Sequence, residues 1–286
     1  MATKKSAKKS ANPAAKTSAR KTTKAAAHPS ADVGTKAAAK ASAKKSGVVR
    51  AATGADPRAT VAAIVAEFER RGSAKVRDDM QRRYGITATK AFGVPVAVIH
   101  TIVKPHRRDH ALAGALWKTG IYEARLAAAF VGEPTKVTPA EMDAWRSEFD
   151  SWAVCDTMCF HLWDRCEHAF AKVKKWATLR DEFGRRAAFA LMAGIAQHDE
   201  KASDDAFLEC LPLAEAAATD ARNFVWKGVS WALRGTGERN RVLHAAVLQI
   251  AERLIASDDA SSRRVGKDVM RDLLRPIVQK RLDRRG

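Results

Sequence analysis

The chain has 286 residues, 46% of them hydrophobic, and a formal net charge of +19. That is enough apolar material for one large core or two small ones, and the basic surplus points to polyanionic partners, nucleic acid or anionic lipid. No apolar run reaches the roughly 18 residues of a membrane span, and none follows the first lysines as in a secretory signal. Three of the four cysteines, Cys155, Cys159 and Cys166, crowd together instead of spreading into a disulfide framework. The expectation is a soluble protein of the reducing bacterial cytoplasm, associated with the nucleoid.

Residues 1–50 hold thirteen Lys and Arg against one acid, Asp32, and so carry +12 of the +19. Built from Ala, Lys, Ser and Thr without an aromatic residue, this stretch cannot bury enough apolar area to offset its ordering entropy. Residues 1–55 are therefore expected to form a disordered Lys/Ala-rich tail that grips phosphates, and 56–286 a folded domain. Runs such as Lys4-Lys5-Ser6-Ala7-Lys8-Lys9 resemble the tails of linker histones and bacterial histone-like proteins.

From Asp56 helix signals take over. Asp56 can cap, Pro57 suits the first turn, Val61, Ile64, Val65 and Phe68 recur at helical spacing, and Gly72 ends the run. Ser73 opens a second helix that runs to Tyr84 before Gly85. A third covers Val94 to Val103 ahead of Pro105, and a fourth His110 to Trp117 ahead of Gly120. Thr138-Pro139-Ala140-Glu141 has the form of a capping box, in which the Thr and Glu side chains each satisfy a backbone donor at the start of a helix carrying Trp145. Further periodic stretches fall around 151–163, 181–197, 203–217, 220–234, 239–256 and 260–282. No alternating strand pattern appears, so the fold class is all-α, with about eleven or twelve helices of roughly 10 to 20 residues. Consecutive pairs suit an α-solenoid, but no repeat aligns at a fixed period, and a compact irregular helical domain stays open on pattern alone.

Trp152 and Asp156 stand four residues apart, placing an indole and a carboxylate on one helix face. An indole attracts a cationic, electron-poor alkylpurine, and a carboxylate can stabilise the charge that builds on deoxyribose as a glycosidic bond breaks, or position water. The plainer reading packs Trp152 in the core and pairs Asp156 locally. Lys227, Trp231 and Arg234 follow at i, i+4 and i+7, two cations flanking a second indole, while Val225, Val229, Ala232 and Leu233 supply the apolar side of that helix. Arg186 opens another strongly apolar helix with a side chain suited to bidentate phosphate contact. Cys155, Cys159, His161, Cys166 and His168 could together offer zinc ligands, but their spacing matches no standard finger or ribbon. No metal site is expected.

These segments resemble the DNA alkylation repair proteins, the HEAT-like-repeat alkylpurine DNA glycosylases. The resemblance is carried by Leu116-Trp117-Lys118-Thr119-Gly120-Ile121-Tyr122-Glu123-Ala124-Arg125, by Phe149-Asp150-Ser151-Trp152 through Asp156, by Arg185-Arg186-Ala187-Ala188-Phe189-Ala190-Leu191-Met192, and by Arg222-Asn223-Phe224-Val225 through Arg234. It implies an α-solenoid of HEAT-like helix pairs whose concave side holds duplex DNA. It implies hydrolysis of the N-glycosidic bond of cationic N3- or N7-alkylated purines, leaving an abasic site in an uncut strand. By the same resemblance Asp156 is the catalytic carboxylate, Trp152 and Trp231 line the lesion, and Arg186 and Arg234 bind the DNA backbone, with Lys227 beside them. The stretch between Arg186 and Trp231 is longer than in compact members. No cofactor and no obligate protein partner is expected, and the protein is expected to act as a monomer. The alternative is a non-catalytic HEAT-like DNA-binding or scaffold protein that uses the same basic face.

Overall fold

The computed structural model describes residues 57–284. The Lys/Ala-rich tail expected over 1–55 and the capping role of Asp56 lie outside the described residues.

Among the described residues there are fourteen α-helices and no strand. One layer is formed by α3 (Val96–Val103), α5 (Tyr122–Val131), α7 (Trp152–His161), α9 (Glu182–His198), α11 (Asn223–Gly237) and α13 (Ala260–Leu273), each packed on the next. A second layer, packed behind it, holds α4 (His110–Trp117), α6 (Pro139–Ser147), α8 (Ala169–Trp176), α10 (Asp204–Ala217) and α12 (Arg241–Ala256). The helices α1 (Pro57–Arg71) and α2 (Ala74–Tyr84) precede these layers, and α14 (Pro276–Asp283) follows them.

The register that pattern reading could not find is visible in the bonds between neighbouring turns. Cys155 Sγ donates to the Phe183 carbonyl at 3.8 Å and Cys159 Sγ to the Ala187 carbonyl at 3.5 Å, the same offset twice, so α7 and α9 run parallel. Ser230 donates to Asp268 at 2.6 Å and Arg234 to Asp272 at 3.1 Å, again one shared offset, so α11 and α13 run parallel too. Parallel helices joined by antiparallel partners in a second layer make a solenoid of helix pairs. The compact irregular alternative is thereby set aside.

Most boundaries follow the sequence signals. Ser73 accepts from the Val76 amide, and Gly85 closes α2 in the left-handed conformation at φ 64°. Thr138 accepts from the Glu141 amide, but the other half of the capping box is not built as expected: Glu141 bonds the His110 ring at 2.9 Å instead, tying α6 to α4. The stretch expected as one helix over 260–282 is two, because Pro276 takes a first-turn position after Arg275 in an extended conformation. α5 and α8 were not expected. Of the ten residues of α5 eight are buried, Glu123 among them, so it shows no polar face and hence no period.

Candidate active site

The site is assembled by three parallel helices. On α7, Ser151 caps the first turn by accepting from the Val154 amide, which fixes Trp152 at the helix start. Trp152, Asp156 and Phe160 then fall at four-residue steps along one stripe. Trp152 donates its Nε1–H to the Tyr84 carbonyl at 2.9 Å, at the C-terminal end of α2.

The far end of the loop that follows α2 is pinned by Glu123. The Glu123 carboxylate is fully buried and accepts the amides of Phe92, Gly93 and Val94 at 2.8 to 3.2 Å. Gly93 is required there: its φ is 82°, and a Cβ would come within 2.3 Å of the Ser73 carbonyl. The neighbouring motif residues are also structural. Trp117 stacks on Trp145 at 4.8 Å, and Arg125 lies 4.9 Å over Trp117 while bonding Glu148 at 2.7 Å, which holds the segment leading to Ser151.

Asp156 is partly exposed and takes both of its bonds from Arg186 on α9, Nε to Oδ1 at 2.8 Å and Nη2 to Oδ2 at 2.6 Å. The third edge of the guanidinium donates from Nη1 to the Phe224 carbonyl at 2.8 Å, where α11 begins. Arg186 is 4% exposed. Sequence reading placed it on the DNA backbone. In this structure the side chain lies inside, three of its five N–H donors are engaged within the protein, and it joins α7, α9 and α11. Burial works against its charge, and the nearby Asp156 carboxylate more than offsets this, leaving the guanidinium more firmly protonated than usual.

Trp231 on α11 reaches across α9 to stack on Phe160 of α7, with ring centroids 5.2 Å apart. The crossing is possible because the α9 stripe after Arg186 continues with Ala190 and Gly194, which are small. At Gly194 a Cβ would meet Phe160 Cδ2 at 3.3 Å and Asp164 Cβ at 3.0 Å. One face of Trp231 is thus occupied by Phe160, a residue sequence reading missed, although its place four residues beyond Asp156 was the available signal.

Lys227 is partly buried with its Nζ 5.7 Å from the centre of the Trp226 ring, and Arg264 of α13 lies 5.2 Å from the same ring. Burial, then the charge of Arg186, holds the Lys227 ammonium below the usual lysine range. Arg234 is also partly exposed, but Asp272 engages it at 3.1 Å. Val225, Val229, Ala232 and Leu233 are fully buried, as their spacing required. All four cysteines are buried free thiols, with Cys155, Cys159 and Cys166 directed at backbone carbonyls.

The two-layer stack of helix pairs defines the chain as a HEAT-like-repeat α-solenoid. It belongs to the DNA alkylation repair enzyme family, whose model matches residues 64–257. Among solved structures, one from a new family related to the HEAT-like repeat DNA glycosylases with affinity for branched DNA structures is similar at a TM-score of 0.60 and 17% identity, covering 74% of this chain and 94% of that one. An engineered protein is similar at a TM-score of 0.38 and 13% identity over 75% and 98% of the two chains. A designed armadillo repeat protein in complex with a (KR)4 peptide follows at 0.33 and 12% over 80% and 87%. A comparison with curated proteins gives no match. No helix among the described residues is long and apolar enough to cross a membrane.

Proposed function

We propose that the protein is a monofunctional alkylpurine DNA glycosylase that hydrolyses the N-glycosidic bond of cationic N3- or N7-alkylated purines in duplex DNA. The observation that carries this reading is the partly exposed Asp156 carboxylate on α7, the helix that also bears Trp152, fixed by two bonds from Arg186 of α9, with Trp231 on the next helix, α11. As the bond between the deoxyribose C1′ and the base nitrogen lengthens, its electron pair moves onto the base, which leaves neutral, and positive charge builds on the sugar. Asp156 stabilises that charge, and its two oxygens keep lone pairs beyond those given to Arg186 with which to hold the attacking water. Water adds to C1′ and releases a proton, giving an abasic site in an intact strand.

Trp152 and the free face of Trp231 line the lesion and attract its cationic ring. Arg186 is a positioning residue for Asp156. Lys227 and Arg234 supply backbone contacts, Lys227 with the freer charge. The reading calls for no metal or organic cofactor, since the departing base is already cationic, and it treats the protein as a monomer of the bacterial cytoplasm.

The Arg186–Asp156 pair also favours a second reading, a non-catalytic DNA-binding protein, because a carboxylate tied to a buried guanidinium is a structural tie in its own right. The structurally similar protein with affinity for branched DNA structures points the same way. Incubation with methylated duplex DNA, with Asp156→Asn as control, separates them: released base identifies the glycosylase, and binding without release identifies the other.

A further inference from the structure

A row of rings crosses five successive parallel helices. His100 of α3 meets Phe130 of α5 at 5.1 Å between centroids, and Phe130 meets His161 of α7 at 4.9 Å. His161 lies 6.1 Å from its neighbour Phe160, which meets His198 of α9 at 4.5 Å and Trp231 of α11 at 5.2 Å. The row starts at the proposed lesion face and ends near the last turn of α3. Four of its contacts are edge-to-face, at 76°, 61°, 75° and 69°, and the last, Phe160 on Trp231, is stacked.

Packing alone does not account for the row. Phe160, which links the row's two halves, is buried, but His100 and His161 are exposed, and Phe130, His198 and Trp231 are partly so. Cations accompany them. Arg165, just beyond α7, is 46% exposed in its side chain and is held by the His161 carbonyl at 2.9 Å. Lys104 and Arg107, just beyond α3, are exposed. The buried Asp164 carboxylate bonds His198 Nδ1 and lies 3.4 Å from Arg165, so it steadies one imidazole instead of opposing a phosphate at the surface.

We propose that this row is a track for the bases of an unpaired DNA strand, running from Trp231 towards the end of α3. The protein then holds duplex DNA bearing a single-stranded arm more tightly than plain duplex. Bases inside a duplex present only their edges, whereas unpaired bases offer faces that stack on aromatic and imidazole rings regardless of sequence while nearby cations hold the phosphates. The proposal rests on the DNA-binding part of the reading above and not on the chemistry assigned to Asp156.

The test is a binding titration of the full chain with two labelled probes, a plain duplex and the same duplex with a single-stranded thymidine arm. The unsubstituted protein should prefer the armed probe by about tenfold or more. The double change His100→Ala, His161→Ala, at exposed positions that leave the core intact, should remove most of that preference while changing plain-duplex affinity less than twofold. Phe130→Leu, which keeps apolar volume but loses the ring, should act in the same direction. Equal affinity of the unsubstituted protein for both probes would overturn the track, and so would variants that weaken both probes alike. Binding to neither probe would overturn the DNA-binding reading itself.

Discussion

Arg186 and Asp156 lie 30 residues apart and meet as a two-point ion pair between parallel helices, with bonds of 2.8 and 2.6 Å. Because the same guanidinium also holds the Phe224 carbonyl, its removal should be felt first in stability. Arg186→Ala should cost about 3 kcal/mol, the order seen when one partner of a buried pair is deleted. Arg186→Lys should recover little, since an ammonium cannot bond both oxygens in parallel. Denaturant unfolding and single-turnover excision should fall together in both variants. A loss of DNA affinity with unchanged stability would return Arg186 to the phosphate backbone.

Lys227 and Arg234 should differ in weight. Among the described residues no carboxylate pairs with Lys227, while Arg234 is shared with Asp272 at 3.1 Å. Each change to Ala should weaken methylated and unmethylated duplexes alike, because phosphates carry no lesion information. The salt dependence of log K should flatten by about one unit for Lys227→Ala and by less for Arg234→Ala. Titrations at several salt concentrations measure both, and a loss confined to methylated DNA would place the residue at the lesion instead.

Gly194 should resist enlargement. With Asp164 Cβ 3.0 Å and the Cys159 carbonyl 3.3 Å from where a Cβ would stand, Gly194→Val overfills the space under Phe160. The expected loss is roughly 1 to 3 kcal/mol. The stack of Trp231 on Phe160 should loosen with it, visible as altered tryptophan fluorescence. Unchanged unfolding and fluorescence would show that α7 and α9 have more slack than the structure allows.

Acid should weaken the fold partly through Asp220. The hydrogen bond from Arg222, followed by that from Arg185 despite partial burial, holds its carboxyl at about 2 against the ordinary 3.8. A carboxylate depressed in the folded state contributes stability that is present above pH 3.8 and is lost as pH falls towards about 2. The contribution is roughly 2 kcal/mol. Asp220→Asn should therefore lower stability at pH 7 and flatten its fall between those two values. An unchanged slope would remove Asp220 from the account of acid sensitivity.

The parts of the site that lie along one helix were legible in the sequence, because a four-residue step fixes a shared face before any tertiary structure is known. That is why Trp152 with Asp156, and Lys227 with Trp231, could be paired in advance. What lies between helices was not legible. The place of Arg186 depends on the register of α9 against α7 and α11, and no local pattern in an apolar helix says which way its one cation turns. Nor did α5 announce itself, since a helix buried all round has no amphipathic period. Pro276, by contrast, was in plain view, and reading 260–282 as one helix neglected its steric effect on the preceding residue.

The central claim is that Asp156 supplies charge stabilisation to bond cleavage on a face that binds DNA independently of it. The most direct measurement is single-turnover release of methylated purine from duplex DNA by Asp156→Asn at saturating protein, alongside its affinity for the same duplex. The account predicts excision slower by on the order of 10² to 10³ with affinity changed only severalfold. A folded Asp156→Asn protein that releases base at the unsubstituted rate would contradict it.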